Sequence, residues 1–211
     1  MKIINKIILV VMFIALGTSL MFSQKSTTQA IDKPEEGKSL IYIANLATKK
    51  VAVFKNTDLV SSIKVGNYVK YSVEPGTHIF WAAKKPSNFV EANVEANKVY
   101  VLTFEPDATA SVGGTFGLVG ALAGSALAGA VAKPLNPEEF SDRKAFYRII
   151  KNMKSVELDT TPINKSESDT KEMTDKAMVK YSELKEKQGK DILLLSPNWK
   201  FENADKPVKQ K

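Results

Sequence analysis

Between residues 39 and 104 the apolar residues come in short runs, each broken by a cluster of Gly, Pro, Asn or Asp, and this cadence constrains the fold more than any other feature. Its centre is the stretch 65–80. Val69, Tyr71 and Val73 alternate with Lys70, Ser72 and Glu74, the period of a half-buried strand. Pro75-Gly76 then turns the chain, because proline presets a negative φ and glycine accepts the positive φ of a type II turn. The stretch predicts strand, tight turn, strand, with the neighbouring strands pairing onto that hairpin. The extended runs are 39–44, 50–54, 59–64, 68–73, 77–82, 89–94 and 98–104. The first and last are apolar on both faces and belong near the middle of a sheet. No helical period competes in this region. The expectation is an antiparallel seven-stranded β-sandwich, or a partly open barrel, over 38–107.

Downstream the composition changes abruptly. Residues 108–132 carry no charge, and Gly113, Gly117, Gly120 and Gly124 stand four apart in pairs among Ala, Leu and Val. Such spacing lets helix backbones approach closely, so 111–132 is a candidate glycine-zipper helix or helical hairpin that contacts a membrane or drives oligomerisation. The alternative is an insertion packed against the domain, since Gly and Ala gain little on transfer to lipid and only Lys133 marks the far end. Two helices are predicted in 134–195. Asn136-Pro137-Glu138-Glu139 reads as a helix start with an Asn cap and a capping box, followed by Phe140, Phe146, Ile149, Ile150 and Met153 on one face. Ser166 opens the second helix, with Met173, Ala177, Tyr181 and Leu184 on one stripe and Gly189 at its end. Residues 191–195 are a last strand or an extended docking segment, and 196–211 a basic tail. The fold class expected is thus mainly β with C-terminal helices.

The start of the chain speaks to compartment. Lys2 and Lys6 precede an apolar run over 7–16 and then Gly17-Thr18-Ser19, the layout of a signal peptide over 1–23, with a cut after Ser23 or near Ala30. An uncleaved anchor is the rival reading, because 7–22 is nearly long enough to span a bilayer. Residues 24–37 form a polar linker. The chain has no cysteine, which excludes disulfides, thiolate chemistry, cysteine-based metal sites and the acylated cysteine of a lipoprotein. The net charge of +7 is spread among interleaved Lys and Glu, without the basic stripe and aromatics of a nucleic-acid binder. The expected location is outside the cytoplasm, in the periplasm or at the outer membrane.

The extended Leu40-Ile41-Tyr42-Ile43 run, the Val65-Gly66-Asn67-Tyr68 turn, Glu74-Pro75-Gly76-Thr77-His78 and Ala96-Asn97-Lys98-Val99-Tyr100 together resemble a family of bacterial envelope proteins, many of them lipoproteins, known as a domain of unknown function. Its pattern is a Gly-X-Tyr turn, a Pro-Gly-X-His turn and a closing Gly-Lys-X-Tyr strand. The resemblance covers about residues 38–105 and departs from the pattern at Asn97, where the family has Gly. It implies a β-sandwich and an envelope location, and no activity.

Chemistry-bearing patterns are sparse. His78 is the one histidine, which suits a structural or surface role better than a triad, and no Gly-X-Ser-X-Gly elbow accompanies it. Glu105 and Asp107 are two carboxylates at a strand end, the weakest of the readings being a hydrolase pair. No cofactor or metal is implied. Phe80 and Trp81 are adjacent in a strand and must face opposite ways. Trp81, with Tyr68, is the candidate ligand or partner contact if exposed; a covering helix such as 137–154 would bury Trp81 instead. The functional expectation is a non-enzymatic exported module acting on other envelope proteins or a cell-surface ligand. The alternative is a membrane-associated assembly protein that uses its Gly/Ala segment.

Overall fold

The computed structural model describes residues 29–83, 88–106, 130–162 and 166–209. The chain is mainly β with two helices among these residues, and its strands form two mixed five-stranded sheets. The strands are β1 (Ser39–Asn45), β2 (Val51–Lys55), β3 (Asp58–Ile63), β4 (Asn67–Val73), β5 (Gly76–Ala82), β6 (Phe89–Val94), β7 (Val99–Pro106), β8 (Ala130–Pro134), β9 (Lys154–Ser155) and β10 (Ile192–Leu195). The helices are α1 (Phe140–Asn152) and α2 (Glu167–Glu186). One sheet runs β8-β7-β1-β4-β9 and the other β10-β6-β5-β2-β3.

The central expectation of a hairpin at Pro75-Gly76 is overturned. β4 pairs with β1 in the first sheet and β5 with β2 and β6 in the second, so the turn carries the chain from one sheet to the other. Gly76 does take a positive φ, 130°. Gly66-Asn67 likewise links β3 in one sheet to β4 in the other. A turn signal reports reversal, and reversal serves an arch between stacked sheets as well as a hairpin within one. The strictly antiparallel arrangement is corrected too. β7 lies parallel to β1, β10 parallel to β6, and β9 parallel to β4. Seven strands become ten because β8, β9 and β10 come from beyond residue 107. β8 occupies the end of the Gly/Ala segment, which moves the expected boundary at 133 back to Ala130.

Alternation decides which face each residue serves. Ile41, Ile43, Tyr100, Leu102 and Phe104 of the first sheet meet Val53, Ile63, Phe80, Val90 and Val94 of the second in the central core. The other face of the first sheet carries Leu40, Tyr42, Ala44, Val99 and Val101, covered by Phe146 and Ile149 of α1. The other face of the second carries Phe54, Trp81 and Phe89, covered by Ala177 and Tyr181 of α2. The order of layers is therefore helix, sheet, sheet, helix. β1 is buried at every position because it is central and covered on both faces, as its unbroken apolar run implies. The tail is part of this packing: Phe201 and Ala204 are buried beside Phe146.

Helix α1 starts later than its sequence cap suggests. Asn136 closes a turn by accepting the Glu138 N–H, and the N-cap position falls on Glu139 with no side-chain cap. Asp142 replaces the expected capping box, its carboxylate accepting the Asn136 N–H at 3.0 Å and the Lys133 ammonium at 3.0 Å. Helix α2 begins as expected, Ser166 accepting the Asp169 N–H. At its end the left-handed residue is Gln188, φ 50°, one position before the glycine.

The sheet edges are closed by side chains and loops. Beyond β9, Asp159 accepts the Ser62 N–H and donates its own N–H to Ser61 Oγ, so a single connector borders β4 in one sheet and β3 in the other. At the opposite edge the Asn88 amide donates to the Ala132 carbonyl at 2.6 Å and accepts the Ala132 N–H at 2.9 Å, imitating a strand partner for β8. Capping of exposed strand edges in this way opposes edge-to-edge association.

Candidate functional site

Trp81 is fully buried, so it is no surface platform. It stacks on Phe54 with ring centroids 4.6 Å apart, and its indole N–H donates to the Asn56 carbonyl at 2.8 Å. The helix that covers it is α2, through Ala177 and Tyr181, and not the segment 137–154. Tyr68 is also buried, its ring tilted against Tyr42 at 5.7 Å in the layer beneath α1. The two candidate contacts lie on outer faces of opposite sheets and do not form one site.

The densest polar cluster sits where α2 meets β6. Tyr181 donates to Glu91 Oε2 at 2.8 Å, and Lys185 reaches the same oxygen at 3.0 Å and the Tyr181 oxygen at 3.2 Å. Hydrogen bonds from Tyr181 and then Lys185 hold the Glu91 carboxyl below its usual range. Burial, followed by donation to Glu91, pushes the Tyr181 phenol up. Lys185 is raised, chiefly by its bond to Glu91. A general base needs a phenol that yields its proton; here the environment does the reverse. The cluster fastens α2 to the sheet.

His78 Nε2 is 2.8 Å from the Glu74 carbonyl across the Pro75-Gly76 arch. Glu105 accepts the Thr103 hydroxyl at 3.2 Å. Its expected partner, Asp107, lies outside the described residues. Asn45, fully buried, donates to the Lys49 and Ile63 carbonyls and accepts the Ala47 N–H, which ties the β1–β2 crossing to the end of β3. A shallow cleft of about 380 Å³ opens between Pro137, Arg143, Lys200, Phe201 and Asp205, and Arg143 there donates to the Pro137 and Glu138 carbonyls. Among the described residues no cluster of metal-ligating side chains is found.

The four zipper glycines, Gly113, Gly117, Gly120 and Gly124, lie outside the described residues, as does the signal segment 1–23. Their flanks are defined, however. Pro106 pairs with Ala130 and Glu105 with Val131 at the ends of antiparallel β7 and β8. The residues that flank the Gly/Ala segment thus lie together at one end of the sandwich. The same end holds Leu46 and Val65, both exposed, at 38% and 52%. They are adjacent because the Gly66 N–H donates to Asn45 and the Leu46 N–H to Phe104. Exposed Lys49, Lys64 and Lys154 surround them. Sequence reading missed this grouping because the residues come from three separate turns that only the sheet register brings together.

Comparison of the chain with models of protein families, with curated proteins and with solved structures finds no match.

Proposed function

We propose that this chain is an exported, non-enzymatic module of the bacterial cell envelope that works as a binding or structural component. The resemblance over residues 38–105 and the leader-like start support the compartment. The observation that carries the non-enzymatic part is the employment of the reactive side chains. Tyr181 and Lys185 lock onto Glu91, Asp142 onto the start of α1, and His78 onto a backbone carbonyl. Each holds an element in place.

The second reading, membrane association through 111–132, is narrowed by one observation. Because Pro106 and Ala130 are paired, a segment between them must return to the side from which it left. A single crossing of about 30 Å of hydrocarbon is incompatible with that closure, whereas a re-entrant hairpin is compatible with it. Among the described residues no helix is long and apolar enough to cross a membrane. Carbonate extraction of membranes from producing cells separates the readings. Release of the chain is expected of the binding module, and retention that disappears when 108–129 is replaced by a short Gly-Ser loop is expected of the re-entrant one.

A further inference from the structure

One strand edge is the exception to the capping described above. β10 is the outermost strand of the second sheet, bound on one side to parallel β6. The Phe89 N–H donates to the Asp191 carbonyl at 2.8 Å, which sets the phase of that ladder. Alternate residues of a strand face its parallel neighbour. Asp191, Leu193 and Leu195 therefore turn their backbone groups to β6, and Ile192, Leu194 and Ser196 turn theirs outward. Some of the outward groups are used within the chain: the Ile192 N–H donates to Gly189, and the Ser196 carbonyl accepts from Trp199. Left along the edge are the Ile192 carbonyl, the Leu194 N–H and carbonyl, and the Ser196 N–H, for which no partner is found among the described residues.

We propose that this edge pairs antiparallel with the same edge of a second copy of the chain, about a twofold axis at Leu194. The order of the open groups is its own complement. In a hydrogen-bonded antiparallel pair, opposed residues exchange both of their bonds. With Leu194 set opposite the partner's Leu194, each N–H donates to the other's carbonyl. Ile192 then stands opposite the partner's Ser196, whose N–H meets the Ile192 carbonyl. A longer ladder would also join the Ile192 N–H to the partner's Ser196 carbonyl. Those are the groups already occupied within each chain, so the seam ends where the open groups end.

The side chains agree with the backbone. The register puts Leu193, on the inner face, opposite the partner's Leu195, and Leu194, on the outer face, opposite the partner's Leu194. Apolar cross-strand pairs stabilise such a junction. Leu194 is 57% exposed, and β10 carries neither a charge nor a proline, the usual guards of an open edge. The strand is also held as a fixed template. Leu193 and Leu195 pack into the central core, Ile192 packs against the Trp81 cluster, and the Tyr100 hydroxyl donates to the Pro197 carbonyl at 3.2 Å. A twofold contact of this kind closes at the dimer and joins a five-stranded sheet from each copy into one continuous sheet. A four-residue seam buries less than the roughly 1,200 Å² of a long-lived interface, so the pair forms reversibly with concentration.

The chain has no cysteine of its own, so one introduced at the axis reports the pairing. Opposed Cα atoms of a hydrogen-bonded antiparallel pair lie about 5.5 Å apart, within disulfide reach. The full chain lacking only residues 1–23 and carrying Leu194→Cys should, under gentle oxidation, form a linked dimer at least about tenfold faster than Leu158→Cys or Val179→Cys, whose parent residues are also exposed. Sedimentation of the chain without substitutions should show a monomer–dimer equilibrium. Leu194→Pro removes the donor at the axis and leaves the bonds to β6, and it should weaken the dimer by at least about tenfold. Leu194→Lys keeps every backbone group and sets like charges opposite each other. It should weaken the dimer by a similar factor, and it decides the matter should Leu194→Pro unfold. Equal crosslinking at the three positions, a monomer at every concentration, or a dimer unaffected by both substitutions would overturn the proposal. A dimer of that last kind that vanishes when 108–129 is replaced by a Gly-Ser loop would assign self-association to the Gly/Ala segment instead.

Discussion

Single residues carry the joints of this fold. Asn97 stands at φ 60° where the chain passes from β6 to β7, and its side chain accepts the Gly37 N–H at 3.0 Å. The left-handed backbone explains why asparagine serves there: it tolerates the region best among residues with a Cβ, and glycine, with no Cβ to clash, would serve as well. Asn97→Ala should therefore destabilise the protein by about 1–2 kcal/mol, and Asn97→Gly by less, in urea unfolding. Equal losses would show that the hydrogen bond to Gly37, and not backbone strain, sets the preference. Gly66, at φ 72°, has the same reason for being glycine in the other arch. Phe80 and Trp81 show what local pattern can decide. Their opposite facing was legible from their adjacency in a strand, whereas the burial of Phe80 depended on the facing sheet and that of Trp81 on a helix almost a hundred residues further on.

At the scale of elements, α2 is held by an apolar stripe and one polar clasp. Met173, Ala177, Tyr181 and Leu184, the stripe read from the sequence, all pack on the Phe54–Trp81–Phe89 face. Tyr181→Phe removes the donor to Glu91 and should cost about 1–2 kcal/mol. The clasp also sets a pH dependence. Glu91 is depressed in the folded state, so its contribution is present above the unfolded carboxylate range and is lost as pH falls through the folded value. Tyr181 and Lys185 are raised, so theirs is present below their unfolded values and is lost as pH rises through the folded ones. Trp81 fluorescence in a Trp199→Phe background should report a stable α2 between roughly pH 5 and 10 and loosening beyond either side, with the acid limb weakened in Tyr181→Phe. The β-strands of residues 39–104 and both helices were legible because period and turn chemistry are local. Pairing was not. Pro75-Gly76 and Gly66-Asn67 carry hairpin chemistry yet join different sheets, because the face each strand buries is decided by strands far away in sequence. β8, in the last residues of a Gly/Ala run, has no alternation to reveal it, and Asn88 as its surrogate partner is visible only in three dimensions.

For the whole molecule, helix, sheet, sheet, helix layering leaves both sheets covered and puts variation at the two poles. One pole gathers the start of β1, the Pro75-Gly76 arch and the tail around Phe201; the other gathers exposed Leu46 and Val65 and the paired ends of β7 and β8. An envelope location underlies this whole account, and it is tested most directly by fractionating producing cells and sequencing the N-terminus of the recovered protein. Recovery from the extracytoplasmic or membrane fraction, with a start after Ser23 or near Ala30, is the predicted result. Recovery of the chain from the cytoplasm with residues 1–23 still attached would contradict it.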